Sequence, residues 1–157
     1  LIRIITITVS DTRTPETDES GRVLREELGA FELVRHVIVK DEPAQISELV
    51  VEVARTAEAS AIILSGGTGI APRDLTLDTL TKLFDRELPG FGEAFRRLSW
   101  DEIGPRAILS RAAAGIVKGC LVFALPGSSK AARLGARSLI APILPHAVDL
   151  LAGKSAH

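Results

Sequence analysis

One loop carries the densest chemistry in the sequence. Ser65-Gly66-Gly67-Thr68-Gly69-Ile70-Ala71-Pro72-Arg73-Asp74 follows the apolar run Ala61–Leu64 and leads into a helical pattern. Glycine adopts positive φ at little steric cost, so successive backbone N–H groups can turn into one concavity and hold phosphate oxygens without a cationic side chain. The same glycines would also serve a plain tight turn. A strand before them and a helix after them is the setting a phosphate-binding loop requires. The loop is not a Walker A motif, because no Gly-Lys-Ser/Thr follows, and Pro72 stands where a dinucleotide fingerprint has its third glycine.

Carboxylates and hydroxyls accompany it. Asp74 closes the loop ahead of Thr76, a candidate N-cap, and Asp41 stands shortly before Pro43. Either aspartate alone is accounted for by a turn or by favourable placement near a helix N-terminus. Both on loops at one sheet edge could instead hold Mg²⁺, an ion that prefers carboxylate and phosphate oxygens and neutralises charge in a displacement reaction. Ser10-Asp11-Thr12-Arg13 and Pro126-Gly127-Ser128-Ser129-Lys130 add further polar groups. Ser110-Arg111 offers an anion fork or, equally, a surface salt bridge. His36 and His146 have no partner at metal-ligand spacing and read as structural; His157 is terminal. Trp100 reads as packing or interface, and Cys120, within an apolar run, as an inert core thiol. No Gly-x-Ser-x-Gly elbow is present, and nothing points to a Ser-His-Asp triad.

These groups need a scaffold that brings them together. The apolar runs Ile2–Val9, Ala61–Leu64 and Cys120–Leu125 suit strands buried on both faces of a parallel sheet, with Leu33–Val39 as a more exposed fourth. Between them lie helical patterns. Ile46, Leu49, Val50, Val53 and Ala54 follow Pro43 at helical spacing, and Leu77, Leu80 and Phe84 form a shorter stripe. Ala132, Gly135, Ala136, Leu139 and Ile140 form a small-residue stripe, and Pro142 opens a last helix closed at Gly153. Asp85–Pro105 is the least regular segment, with a helix expected around Gly92–Glu102. The alternation predicts an α/β fold, a three-layer α/β/α sandwich with a mainly parallel sheet. Ligands of such sheets bind beyond the carboxyl ends of the strands, so the four polar loops are expected on one edge.

The chain has 157 residues and a net charge of −1, which fits one domain over residues 1–157. That charge balance argues against nucleic acid as a partner. With 46% hydrophobic and 25% charged residues, the composition is that of a soluble domain with a full core. The single cysteine excludes an internal disulfide and cysteine-rich zinc sites, and suits a reducing compartment. No run of 18 or more apolar residues and no signal-peptide pattern is seen, so neither a membrane partner nor export is expected, and the cytoplasm is the expected location.

Four segments, in order along nearly the whole chain, resemble the MoaB/MogA family of molybdenum cofactor biosynthesis proteins. They are Val9-Ser10-Asp11 with Ser20-Gly21; Ser65-Gly66-Gly67-Thr68-Gly69 with Arg73-Asp74; Pro89-Gly90-Phe91-Gly92-Glu93 with Leu109-Ser110-Arg111; and Leu125-Pro126-Gly127-Ser128. Phe84-Asp85-Arg86-Glu87 and Ser99-Trp100-Asp101-Glu102-Ile103-Gly104 are more similar to MoaB than to MogA. The resemblance implies the three-layer fold and adenylylation of molybdopterin: its terminal phosphate attacks the α-phosphorus of Mg-ATP, pyrophosphate leaves, and the product passes to a molybdenum-inserting enzyme. It places the catalytic and Mg²⁺-binding aspartates at Asp41 and Asp74. It places substrate and nucleotide contacts at Ser10, Asp11, Gly66, Gly67, Thr68, Gly69, Ser110, Arg111, Pro126, Gly127, Ser128 and Ser129. It also implies a homo-oligomer, a trimer or, as favoured for MoaB-like members, a hexamer; Ala112–Gly115 and Asp85–Trp100 are the expected subunit contacts. Some MoaB-like proteins lack the aspartate of the Arg-Asp pair and are thought inactive, whereas this sequence keeps Arg73-Asp74. It reads Ser128-Ser129 where active relatives often have an amide and a proline. The rival expectation is a non-catalytic molybdopterin-binding assembly or carrier protein.

Overall fold

The computed structural model describes residues 1–154; His157 lies outside them. The chain runs β1 (Arg3–Val9), α1 (Glu19–Glu27), β2 (Glu32–Val39), α2 (Pro43–Thr56), β3 (Ala61–Ser65), α3 (Thr76–Leu83), β4 (Arg86–Glu87), α4 (Pro89–Ile103), a 3-10 segment (Gly104–Leu109), β5 (Ala113–Val117), β6 (Cys120–Leu125), α5 (Ser129–Gly135), a π-turn (Ala136–Ile140) and α6 (Ala141–Leu151). The strands form one sheet in the order β2-β1-β3-β6-β5-β4. β2, β1, β3 and β6 are parallel, while β5 and β4 pair antiparallel at one end. The four expected strands are therefore the parallel ones, and their carboxyl ends open on one edge.

Alternation along the strands divides the core in two. Ile5, Ile7 and Val9 of β1 face α2 and α3 through Ile46, Val50, Val53, Leu77 and Leu80. Ile4 faces the opposite layer, where Val23 and Leu24 of α1 with Leu28 just after it, Phe91 and Phe95 of α4, and Ala132 of α5 pack. Phe91 meets Phe123 edge-on at 5.2 Å between ring centroids. On that same face β1 also carries buried Thr6 and Thr8. Their hydroxyls are satisfied by His36 at 2.7 Å and by Asp18 at 2.9 Å, as burial of polar groups demands.

The structure corrects several expectations. Ala113–Val117, which overlaps the Ala112–Gly115 stretch, is a strand of the sheet where the apolar runs predict none. It forms a hairpin with β6 through Lys118 and Gly119, whose φ values of +47° and +82° fit a two-residue turn. The helix expected around Gly92–Glu102 is present and begins three residues earlier, spanning Pro89–Ile103. The helix expected to begin at Pro142 is continuous with α5, one helix over Ser129–Leu151. Proline lacks the N–H of an ordinary helical turn and crowds the carbonyl before it. The π-turn widens the helix immediately ahead of Pro142, with the Ala141 N–H donating to the Ala136 carbonyl. By length and composition alone this helix would reach across a bilayer, yet its Ala132, Ala136, Ile140 and Leu144 belong to the core. Cys120 is buried, and burial pushes its thiol up to about 12, as an inert core thiol should be.

Candidate active site

A cavity of about 540 Å³ opens over the carboxyl ends of β1, β3 and β6. Its floor is Ser20 at the start of α1 and Ser65 at the end of β3, whose hydroxyls lie 3.0 Å apart. The glycine loop forms one wall. Gly66 and Gly67 have φ of +108° and +70°, the left-handed region that glycine occupies without penalty. The loop's carbonyls turn into the protein: that of Gly67 accepts from the Thr76 N–H at 3.1 Å, and that of Thr68 from the Arg111 N–H at 3.1 Å. The Gly69 carbonyl accepts from Arg111 Nε at 3.0 Å. The N–H groups of Gly67, Thr68 and Gly69 have no partner among the described residues. Carbonyls spent inward and N–H groups left over are what an oxyanion cradle needs.

The loop after β6 closes against this wall, with a Cβ on Gly127 reaching 3.3 Å from Gly66 Cα. Pro126, Gly127 and Ser128 line the cavity. Ser128 caps α5 by accepting the Ala131 N–H at 3.1 Å. The positive end of the 23-residue helix therefore stands at the same cavity. Ser129 is exposed in the first turn and does not line it. Ser10 does, while its hydroxyl braces its own loop by accepting the N–H groups of Thr12 and Arg13 at 3.2 and 3.0 Å.

Asp74 lines the cavity and uses Oδ2 to accept the Ala71 N–H at 2.8 Å. Asp41 lies beneath the wall, 5% exposed. Its Oδ2 accepts the Leu75 N–H at 3.3 Å, while its Oδ1 and the Thr76 hydroxyl are buried without a partner among the described residues. Thr76 is thus the first residue of α3 and not its expected N-cap; Leu75 holds that place. Burial, and then the charges of Asp11 and Asp74, lift the Asp41 carboxyl above the ordinary aspartate range. Asp11 is committed elsewhere: it binds Arg73 at 2.8 Å and accepts the Asp41 N–H at 3.2 Å. The Arg73 bond, foremost, holds its carboxyl low.

A carboxyl raised in the folded state binds its proton at pH values where the unfolded chain has released it. Stability therefore falls as pH rises through that window, because the folded state holds the extra proton. Asp41→Asn is expected to stabilise the protein at pH 7 by on the order of 1 kcal/mol and to flatten this decline. Urea unfolding of both proteins at pH 4 and pH 7 checks it; an Asn variant less stable at pH 7 contradicts the assignment.

Arg111 departs from its expected role. Its guanidinium binds the Gly69 and Asp74 carbonyls at 3.0 and 2.9 Å and both oxygens of Asp78 at 3.1 Å. It fastens the glycine loop to α3 and does not line the cavity; Ser110 beside it does. His36 keeps its structural role, with Nε2 2.7 Å from Asp18, the residue that caps α1. Among the lining residues missed from the sequence, Phe95, Ser99 and Ile103 share one face of α4 at steps of four. That spacing was available on the helix expected around Gly92–Glu102, but no strand-end loop tied that helix to the ligand edge.

No group of three or more His, Cys, Asp or Glu side chains able to hold a metal occurs among the described residues. Mg²⁺ needs none, since it usually takes one or two carboxylates together with substrate phosphates and water. Asp74 has an oxygen free of protein bonds on the cavity wall, and the orphaned Oδ1 of Asp41 lies below. The donor set fits an ion that arrives with a phosphate.

A family model described as "Probable molybdopterin binding domain" matches residues 5–146. Molybdenum cofactor biosynthesis protein B of Bacillus subtilis is 47% identical over 152 residues, covering 94% of this chain and 89% of that protein. The crystal structure of the molybdopterin biosynthesis enzyme MoaB from Thermus thermophilus superposes with a TM-score of 0.87 at 36% identity, with 100% of both chains covered. The Mog protein of Mycobacterium ulcerans superposes at 0.85 with 30% identity, over 98% of this chain and 99% of that one.

Proposed function

From the premise that the chain belongs to the molybdopterin-binding-domain family of molybdenum cofactor biosynthesis proteins, among those named protein B, we propose that it is a molybdopterin adenylyltransferase. The supporting observation is the meeting, in one cavity, of three unpaired loop N–H groups with the carboxylate of Asp74. The N–H groups of Gly67, Thr68 and Gly69 and the start of α5 hold phosphate oxygens. Ser10, Ser110 and Ser128 offer hydroxyls, and Phe95 and Ile103 give an apolar wall for a flat heterocycle. The terminal phosphate of molybdopterin attacks the α-phosphorus of ATP; a new P–O bond forms, the α–β bridging bond breaks, and pyrophosphate leaves. A phosphate ionised at neutral pH needs no general base, so positioning and charge compensation carry the rate. Mg²⁺ at Asp74 and Asp41 would supply the charge neutralisation. Arg111 acts by holding the loop in place. The product passes to a molybdenum-inserting enzyme. The same reading makes the protein a cytoplasmic homo-oligomer, a hexamer ahead of a trimer, and the exposed Trp100, Ile108 and Leu109 suit self-association.

Incubation with molybdopterin and Mg-ATP is expected to release one pyrophosphate per adenylyl-molybdopterin formed, and neither substrate alone should release any. Tight molybdopterin binding with no pyrophosphate would identify the non-catalytic carrier instead.

A further inference from the structure

Around α1 and β2 almost every charge is matched. Glu19 and Glu26 pair with Arg22, and Glu27 pairs with Arg133 and Arg137. Glu32 pairs with Arg3, Arg35 with Glu58, and His36 with Asp18. Arg25, half-buried near the end of α1, has no carboxylate partner among the described residues. Arg13, in the loop after β1, donates to the Thr17 carbonyl at 3.2 Å and has no other side-chain hydrogen bond among the described residues. These two cations line the same second cavity, about 570 Å³, with His36, Thr14, Pro15 and Ile38.

The one carboxylate on its wall, Asp18, is already spent. Its side chain is 1% exposed and accepts the Thr8 hydroxyl, the Gly21 N–H and His36 Nε2 at 2.9, 3.0 and 2.7 Å. Gly21 makes this approach feasible, because a Cβ there would fall 2.3 Å from Asp18 Oδ2 and 2.6 Å from His36 Nε2. The cavity is therefore lined by two arginines that have no carboxylate within salt-bridge distance among the described residues, beside a compensated imidazole–carboxylate pair. Guanidinium matches phosphate oxygens in fork geometry.

We propose that this second cavity is an anion site for a phosphoryl or diphosphate group, held by Arg13 and Arg25 beside His36. It is separate from the cavity over the glycine loop, with which it shares Arg13. It needs neither Mg²⁺ nor Asp74, and it stands whether or not the protein transfers adenylyl groups.

The probe is inorganic pyrophosphate, titrated into the full-length protein in EDTA, with heat and the His36 imidazole resonances followed together. Wild type is expected to bind with saturation and to shift the His36 signals on the same isotherm. Arg25→Gln should weaken binding about tenfold, the loss of one charge-assisted pair. Arg25→Lys, which keeps the charge, should stay within about threefold, and Asp74→Asn should bind no more weakly than wild type. Equal affinity in wild type and Arg25→Gln, absence of saturable binding, or loss of binding in Asp74→Asn would each overturn the site.

Discussion

Asp74→Asn is expected to lower the rate of pyrophosphate release by about two orders of magnitude or more, the effect of removing a charge that acts mainly in the transition state, while the fold is retained. The separation rests on the two oxygens of the side chain. Oδ2 accepts the Ala71 N–H at 2.8 Å and so shapes the loop. An asparagine carbonyl keeps that bond, so the turn persists and stability should change by no more than about 0.5 kcal/mol. The negative charge is what disappears, and with it the group that would hold a cation against the phosphates. Alanine would remove the turn and the charge together and so confuse geometry with electrostatics. The loss should fall on kcat more than on the KM for molybdopterin, because the loop N–H groups that receive the pterin phosphate are untouched. Steady-state rates at several Mg-ATP concentrations, with urea unfolding as the control, measure both. An Asn variant that turns over at the parental rate removes Asp74 from the chemistry.

Asp41 shows why a shared residue type does not mean a shared setting. In the sequence both aspartates stand on strand-end loops ahead of helices. In the structure Asp74 is on the cavity wall, whereas Asp41 is buried beneath Gly67 with one oxygen unpartnered. No local pattern encodes that depth, which is set by the loop of β3 folding across the loop of β2. Arg111 is a similar case. The resemblance places it at the site, and its residue type fits an anion fork or a salt bridge equally, but only the packed structure shows its donors turned to Gly69, Asp74 and Asp78. The parallel strands were legible because burial on both faces writes a continuous apolar run, as in Ile4, Ile5 and Ile7. β5 was not, because Ala113, Ala114 and Gly115 carry little strand propensity. Its small residues answer to a neighbour: a Cβ on Gly115 would lie 2.5 Å from the Phe84 ring. The Lys118-Gly119 turn between two apolar stretches was the available hairpin signal.

Gly66→Ala should cost about 3 kcal/mol or more, placing it among the severe single substitutions. Two independent terms act at that position. With φ at +108°, an L side chain is strained whatever the space around it. The new Cβ would also fall 2.2 Å from the Val9 carbonyl oxygen and 3.2 Å from its carbon. That carbonyl is backbone at the end of β1, which is paired with β2 on one side and β3 on the other, so it cannot step aside as a flexible side chain would. Gly66 in turn donates its N–H to the Leu125 carbonyl at 2.9 Å, so relief by moving the loop breaks the tie to β6. The strain therefore reaches three strand ends that together form the cavity, and stability and phosphate binding should fall together. Gly90→Ala is the matched control: it lies in the first turn of α4 with no atom within 4 Å of the added methyl, and should change stability by less than about 1 kcal/mol, in the favourable direction. Urea unfolding of the two variants gives the comparison. If Gly66→Ala proves as stable as Gly90→Ala, the close approach of the loop to Val9 is not a feature of the folded protein, and the cradle built on it loses its foundation.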